Sequence, residues 1–294
     1  MKQDDLKLPF YTINEKNELY YLNRKKIITL PTELEAQRYI LQSEGVITTR
    51  MNKITYPKTI LVIEPHPDDF VLSALPYTLK RYNVQVLNVF SKMMLDSFTW
   101  KDISITEKEY ENLRLTESKY AIEEVLGEKF NSLKEQSTRI TTKKKEIIEQ
   151  KILRNIKKVL KQNKKIDTIM IPMGIGNHPD HMIVYQTIMN NRKSFKDYKL
   201  ILYPEYPYAR SKYNYLKRLE QVEKEFELKT IIMNISNKLE IMAELISIYR
   251  SQFDDINRSQ MLALIREDGR SLANDFEKEE EIAIFYEVGD PNEN

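Results

Sequence analysis

The sequence contains no cysteine, which excludes disulfides, thiolate metal sites and a cysteine nucleophile. Histidine is nearly as scarce, with three residues in 294, at positions 66, 178 and 181. A transition metal would therefore have to be held by imidazole and carboxylate. No run reaches the roughly 18 consecutive apolar residues of a membrane helix. The start, Met1-Lys2-Gln3-Asp4-Asp5, is acidic with no apolar stretch behind it, so a cytoplasmic protein without a secretory signal is expected. Charge of one sign is lacking too: 46 basic residues face 44 acidic ones, a net charge of +2, and such a balance does not indicate a nucleic-acid surface. An apolar share of 41% and a charged share of 31% are those of a globular protein long enough to bury a continuous core.

Residues 1–55 read as an extension of their own. Tyr11-Thr12-Ile13, Leu19-Tyr20-Tyr21-Leu22 and Ile27-Ile28-Thr29-Leu30 suggest a short meander. Thr32 and Glu35 have capping-box spacing, which predicts a helix ending near Gly45. The extension has no histidine and no glycine loop. It is expected to pack on the main domain, with a separate recognition module as the alternative.

Residues 56–294 are expected to form the main domain. From Pro57 the pattern alternates: extended over 59–64, helical over about 69–81, extended over 84–90 and helical over about 107–126. A lysine-faced helix over 143–162 follows, then a strand over 167–173, a helix over about 180–190 and a strand over 199–203. The stretch 238–252 reads as helix and 281–288 as strand or helix. Such alternation predicts an α/β fold, a Rossmann-like, mostly parallel sheet with helices on both faces. The lysines of 143–162 have no aromatics between them and are read as a solvated helix face.

All the histidine lies in two windows. Pro65-His66-Pro67-Asp68-Asp69 follows the apolar run Ile60-Leu61-Val62-Ile63, and His178-Pro179-Asp180-His181 follows Thr168-Ile169-Met170-Ile171. Both fall at the C-terminal ends of expected parallel strands, where open sheets bind ligands. His66 and Asp69 leave one strand-to-helix turn, and His181 can add a third N/O ligand from the neighbouring strand end. Three such ligands with one open position describe a catalytic Zn2+ site, whose bound water has a pKa of roughly 7. Hydrolysis is the expected chemistry. Asp68 is free to act as general base. His178 can polarise the substrate carbonyl or protonate a leaving amine, with Asp180 fixing its tautomer.

These motifs resemble the PIG-L/LmbE family of zinc-dependent N-acetyl deacetylases, whose motifs are (A/P)-H-P-D-D and H-x-D-H. The resemblance implies zinc ligation by His66, Asp69 and His181, a base at Asp68, and transition-state assistance from His178 beside Asp180. Arg114-x-x-Glu117-x-x-x-Ala121 is similar to the family helix whose arginine faces the sugar, which would make Arg114 substrate-binding; an exposed ion pair with Glu117 is the plainer reading. Lys238 and Tyr249-x-Ser251-Gln252 resemble a late K…Y-x-S-Q segment. Asp68-Asp69-Phe70-Val71-Leu72-Ser73 is like a D-D-x-V-L-S branch, with Phe70 where many members have Glu. Gly176 stands where some members have an oxyanion-donating tyrosine, so zinc and His178, or another tyrosine, must fill that role.

The implied activity is removal of an N-acetyl group from an amino sugar or glycoconjugate. Other small amide conjugates, or a catalytically idle sugar-binding relative, are the alternatives. The expected partner is a small N-acetylated molecule, not nucleic acid, with no integral membrane segment. A homo-oligomer is compatible with the sequence.

Overall fold

The structure, a computed structural model, describes residues 11–13, 18–21, 26–29, 58–79, 82–92, 106–139, 141–249, 251–253, 258–272 and 281–289. β1 (Tyr11–Ile13), β2 (Glu18–Tyr21) and β3 (Lys26–Thr29) form an antiparallel sheet in that order, as the meander predicted. The helix expected after Thr32 lies outside the described residues.

A seven-stranded sheet carries the rest of the fold. Its strands are β4 (Thr59–Glu64), β5 (Asn83–Lys92), β6 (Lys129–Gln136), β7 (Ile166–Pro172), β8 (Lys199–Tyr203), β9 (Leu228–Asn234) and β10 (Ile282–Val288), in the order β6-β5-β4-β7-β8-β10-β9. The first five are mutually parallel, and β10 runs antiparallel to both β8 and β9. Helices cover both faces. α1 (Leu75–Thr78), α2 (Glu107–Lys119), α6 (Leu239–Ser247) and α7 (Arg258–Leu272) contribute to one core, and α3 (Lys145–Gln162), α4 (Pro179–Met189) and α5 (Lys212–Glu223) to the other.

The alternation in β4 shows how one strand serves both layers. Ile60 and Val62 join the first core, and Leu61 and Ile63 join the second, because successive side chains leave opposite faces of a strand. α3 places Ile148, Ile152, Ile156, Val159 and Leu160 in the second core, while its lysines face outward as the sequence predicted. α2 opens on a capping box, with the Thr106 side chain accepting from the Glu109 N–H and the Glu109 carboxylate accepting from the Thr106 N–H.

Several elements differ from the sequence reading. The turn after Asp69 is a wide π-type turn over Phe70–Ala74 that becomes α1 at Leu75. The sequence reading places no strand at β6 or β9, which carry no clear alternation; both pair as edge strands of the sheet. Residues 281–288 resolve as strand β10. The helix expected over 238–252 stops at Ser247, and the following turn is tied elsewhere, as described below.

The topology places the site. From β4 the chain moves to β5 on one side of the sheet, and it later returns to β7 on the other side. The C-terminal ends of β4 and β7 therefore flank the switch point, where connecting loops diverge and leave a crevice.

Candidate metal centre

Pro65 to Asp69 leaves β4 as a tight turn: the N–H groups of Asp68 and Asp69 both donate to His66 O, at 2.8 and 3.2 Å. The His66 N–H donates to Asp69 Oδ2 at 2.8 Å. The wide turn that follows begins without a cap from Asp69. Instead Glu64, the last residue of β4, reaches across the loop, and its Oε2 accepts from the Phe70 N–H at 3.0 Å. Burial, opposed by the Phe70 N–H, raises the Glu64 carboxyl well above the usual range.

The second window hangs from β7. Gly174 and Gly176 both have positive φ, 83° and 71°, which an L side chain rarely adopts. A Cβ at Gly174 would also stand 2.5 Å from Met182 Sδ. This bent loop ends at His178, which caps α4, with His178 Nδ1 accepting from the Asp180 N–H at 3.3 Å.

The two windows meet. His66 Nδ1 and His181 Nε2 are 3.2 Å apart, His181 Nε2 and Asp69 Oδ2 3.4 Å, and His66 Nδ1 and Asp69 Oδ2 3.6 Å. Tetrahedral bonds of about 2.0–2.1 Å from a metal to N/O donors place those donors about 3.3 Å apart, so this triangle fits one ion. The other nitrogen of each ring is held by a buried carboxylate: His66 Nε2 by Asp180 Oδ2 at 2.9 Å, and His181 Nδ1 by Glu205 Oε1 at 3.0 Å. Such carboxylate–histidine pairs fix the tautomer and aim the remaining nitrogen at a metal. The three imidazoles also bring nitrogens within 4.8 Å of one another, a looser set than the triangle that includes Asp69.

The electrostatics favour positive charge at this point. Burial alone would lower His181, but Asp69 and Glu205 outweigh it and raise the imidazole to about 9. Burial raises Asp69, opposed by His181 and His66. Burial would also raise Asp180, but the hydrogen bond from His66 and those from Thr138 hold it low. A proton on His181 here occupies surroundings that a divalent cation would satisfy better.

Each residue singled out in the sequence has a definite place. His66, Asp68, Asp69 and His178 line one cavity of about 370 Å³ together with Arg114. Asp68 Oδ1 meets Arg114 Nη2 at 2.8 Å. The exposed Arg114–Glu117 pair is not formed, because both side chains are buried. Glu117 instead accepts from the Ser251 N–H at 2.8 Å and from its hydroxyl, which ties the turn after α6 to α2 and sets Gln252 and Phe253 at the cavity wall. The Asp180 carboxylate is engaged with His66, and only its backbone N–H reaches His178, which corrects its expected role. Burial, followed by His66 and His181, lowers His178 to about 3. It is neutral, and since Nδ1 accepts a hydrogen bond, its proton belongs on Nε2.

Three contributors escaped the sequence reading. Glu205 lies in an aromatic, proline-containing loop and accepts not only from His181 but from the N–H groups of Met173 and Gly174, at 3.1 and 2.6 Å. Glu64 looked like the polar end of a strand. Tyr208 packs against His178 and His181, with ring centroids 5.6 and 5.3 Å apart, and it also covers Gly176: a Cβ there would be 3.7 Å from Tyr208 Cδ1. Among the described residues the Tyr208 hydroxyl has no hydrogen-bond partner, and burial, Asp69 and Asp68 raise it, so the phenol keeps its proton.

Residues 61–191 match the family model described as PIG-L, GlcNAc-PI de-N-acetylase. The chain carries a PIG-L domain. The two histidine windows of the PIG-L domain both fall inside the matched span. The fold is similar to that of the zinc-inhibited form of a teicoplanin deacetylase, at 14% identity and TM-score 0.58, covering 81% of this chain and 100% of that one. It is similar to an antimicrobial pseudoaglycone deacetylase at 18% identity and TM-score 0.59, covering 79% and 97%. The 4-carboxy-2-hydroxymuconate hydratase of Pseudomonas putida shares it too, at 13% identity and TM-score 0.56, covering 81% and 98%. No curated protein sequence matches the chain. A fold that serves both deacetylases and a hydratase leaves the chemistry to the site. Among the described residues no helix is long and apolar enough to cross a membrane.

Proposed function

We propose that the PIG-L domain is a zinc-dependent amidohydrolase that removes the N-acetyl group from an amino sugar or glycoconjugate. The observation that carries this reading is the triangle of His66 Nδ1, Asp69 Oδ2 and His181 Nε2, with Asp180 and Glu205 behind the two rings. These three residues would hold the ion, and zinc suits a set of two imidazoles and one carboxylate that leaves a position open. When bound, the metal supplies Lewis acidity toward a water and toward the acetyl carbonyl.

The residues around it do the rest. Asp68, held by Arg114, takes a proton from the attacking water on its carboxylate and later delivers one to the leaving nitrogen. His178 is neutral with its proton on Nε2, so it donates a hydrogen bond to the carbonyl oxygen as negative charge develops there. Tyr208 offers a second donor on the same side, in the space that glycine leaves at position 176. A structural metal would have no need of Asp68, which disfavours an idle sugar-binding protein, and the carboxylate-poor single site disfavours a two-metal phosphoesterase.

The test is acetate release across a panel of N-acetyl amino sugars with zinc-loaded protein. Inhibition by a hydroxamate and indifference to vanadate is the expected pattern. Asp68→Asn should keep its metal and its fold while turnover falls by roughly 10²-fold or more. Near-wild-type turnover in that variant would place the base elsewhere.

A further inference from the structure

Arg218, on α5, is 8% exposed and does not line the cavity. Its Nε donates to Met173 O at 2.8 Å, its Nη1 donates to Gln221 Oε1 at 3.3 Å, and its Cζ stands 4.3 Å from the centre of the Tyr185 ring on α4. Among the described residues no carboxylate pairs with it. A buried cation ordinarily has an anion beside it, because its withdrawal from water is costly. Here the anion stands one peptide bond away.

Met173 O belongs to the peptide whose other end is the Gly174 N–H, and that N–H donates to Glu205 Oε1 at 2.6 Å. The same Glu205 oxygen faces His181 Nδ1 at 3.0 Å. A continuous line of hydrogen bonds thus runs from Arg218 through the Met173–Gly174 peptide and Glu205 to His181. Glu205 is fully buried, and among the described residues it meets no lysine or arginine directly. A peptide with a cation at its oxygen and an anion at its N–H is polarised by both, and buried hydrogen bonds chained in this way strengthen one another. The packing agrees: a Cβ at Gly174 would lie 3.5 Å from both Nε and Nη2 of Arg218, so the guanidinium rests on the loop backbone itself. The loop continues through Ile175, whose N–H also donates to Glu205 Oε1 at 3.3 Å, and ends at His178.

We infer that Arg218 is a positioning residue of the metal centre. It is the counter-charge of Glu205, acting through the Met173–Gly174 peptide, and it holds that carboxylate against His181 while fixing the loop that carries His178. This rests on the metal assignment above. A guanidinium that only filled the space between α4 and α5 would be replaceable by an apolar chain of similar length, with a loss of stability and nothing else.

Arg218→Met keeps the length and apolar bulk and removes the charge and the donors, whereas Arg218→Lys keeps the charge. Zinc affinity is measured by competition with a chromophoric chelator, and the histidine side-chain N–H groups are followed by 15N NMR, which a chain with three histidines keeps simple. Arg218→Met should bind zinc roughly tenfold more weakly, the low end of the cost of losing a group that orients a ligand, and Arg218→Lys should recover most of that loss. The His181 Nδ1–H signal, assigned by its absence from His181→Gln, should shift in Arg218→Met and stay near its wild-type position in Arg218→Lys. The His66 Nε2–H signal, held by Asp180, should not move in either. Wild-type zinc affinity with an unmoved His181 signal in Arg218→Met would overturn the inference. Equal losses in the two variants, or equal shifts of both histidine signals, would overturn it as well, since they mark packing and not charge. If wild type binds no zinc, the metal assignment fails by itself, and the signals of the metal-free protein still decide: a shift confined to His181 and to Arg218→Met supports the inference, and an unmoved His181 overturns it. If Arg218→Met does not fold, Arg218→Gln is read in the same way.

Discussion

Arg114 Nη2 lies 2.8 Å from Asp68 Oδ1, with the guanidinium withdrawn from water and the carboxylate at the cavity wall. The arginine that resemblance assigns to the sugar is therefore engaged first with the proposed base. Arg114→Lys keeps the charge but loses the planar fork that fixes a carboxylate. The expected result is a fall in kcat of about tenfold, on the order of one charge-assisted bond, with metal content unchanged. A change confined to KM would return Arg114 to the substrate.

His181 and Glu205 act together through the His181 Nδ1 hydrogen bond. His181→Ala should abolish stoichiometric zinc binding. Glu205→Gln should weaken it by roughly 10- to 100-fold, the usual cost of losing the group that orients a ligand. Elemental analysis after dialysis against a zinc buffer measures both, and wild-type content in His181→Ala would refute the ligand assignment.

Tyr208→Phe removes one hydroxyl and leaves the ring packed against the two imidazoles. If the phenol donates only to the developing oxyanion, kcat should drop by roughly tenfold or more while KM stays near wild type. Unchanged turnover would leave His178 as the donor on that side.

Glu117 carries a pH signature. Burial, against the Ser251 hydrogen bonds and Arg114, raises its carboxyl to about 8. The folded state then keeps a proton that the unfolded chain gives up near pH 4.5, so stability is full below that pH, falls as pH rises toward 8, and levels off above it. Glu117→Gln mimics the protonated acid. Scanning calorimetry should show a Tm that drops less between pH 5 and pH 8 in this variant than in wild type. Parallel pH profiles would mean that Glu117 is ionised in the fold.

Local pattern and chain chemistry were enough to find the two ends of the site. Apolar runs followed by His66-Pro67-Asp68-Asp69 and by His178-Pro179-Asp180-His181 mark strand ends, because strands are short and apolar and because polar clusters gather where they stop. The absence of cysteine and the confinement of histidine to those windows then left imidazole and carboxylate as the donors. The mostly parallel sheet followed from alternating periodicity. Edge strands β6 and β9 did not, since a strand with one partner and a solvated face need not alternate cleanly.

What only the tertiary structure decided is which polar group meets which. His66 and Asp180 are 114 positions apart, and His181 and Glu205 are 24 apart; no spacing rule links them, because their distance is set by the order of β4, β7 and β8 in the sheet. Arg114 reaches Asp68, and Tyr208 covers Gly176, for the same reason. Sequence by itself determined the kinds of donor and the strand ends that bear them, since those depend on near neighbours. Their pairing depends on crossovers in a sheet that forms only when both cores are buried at once.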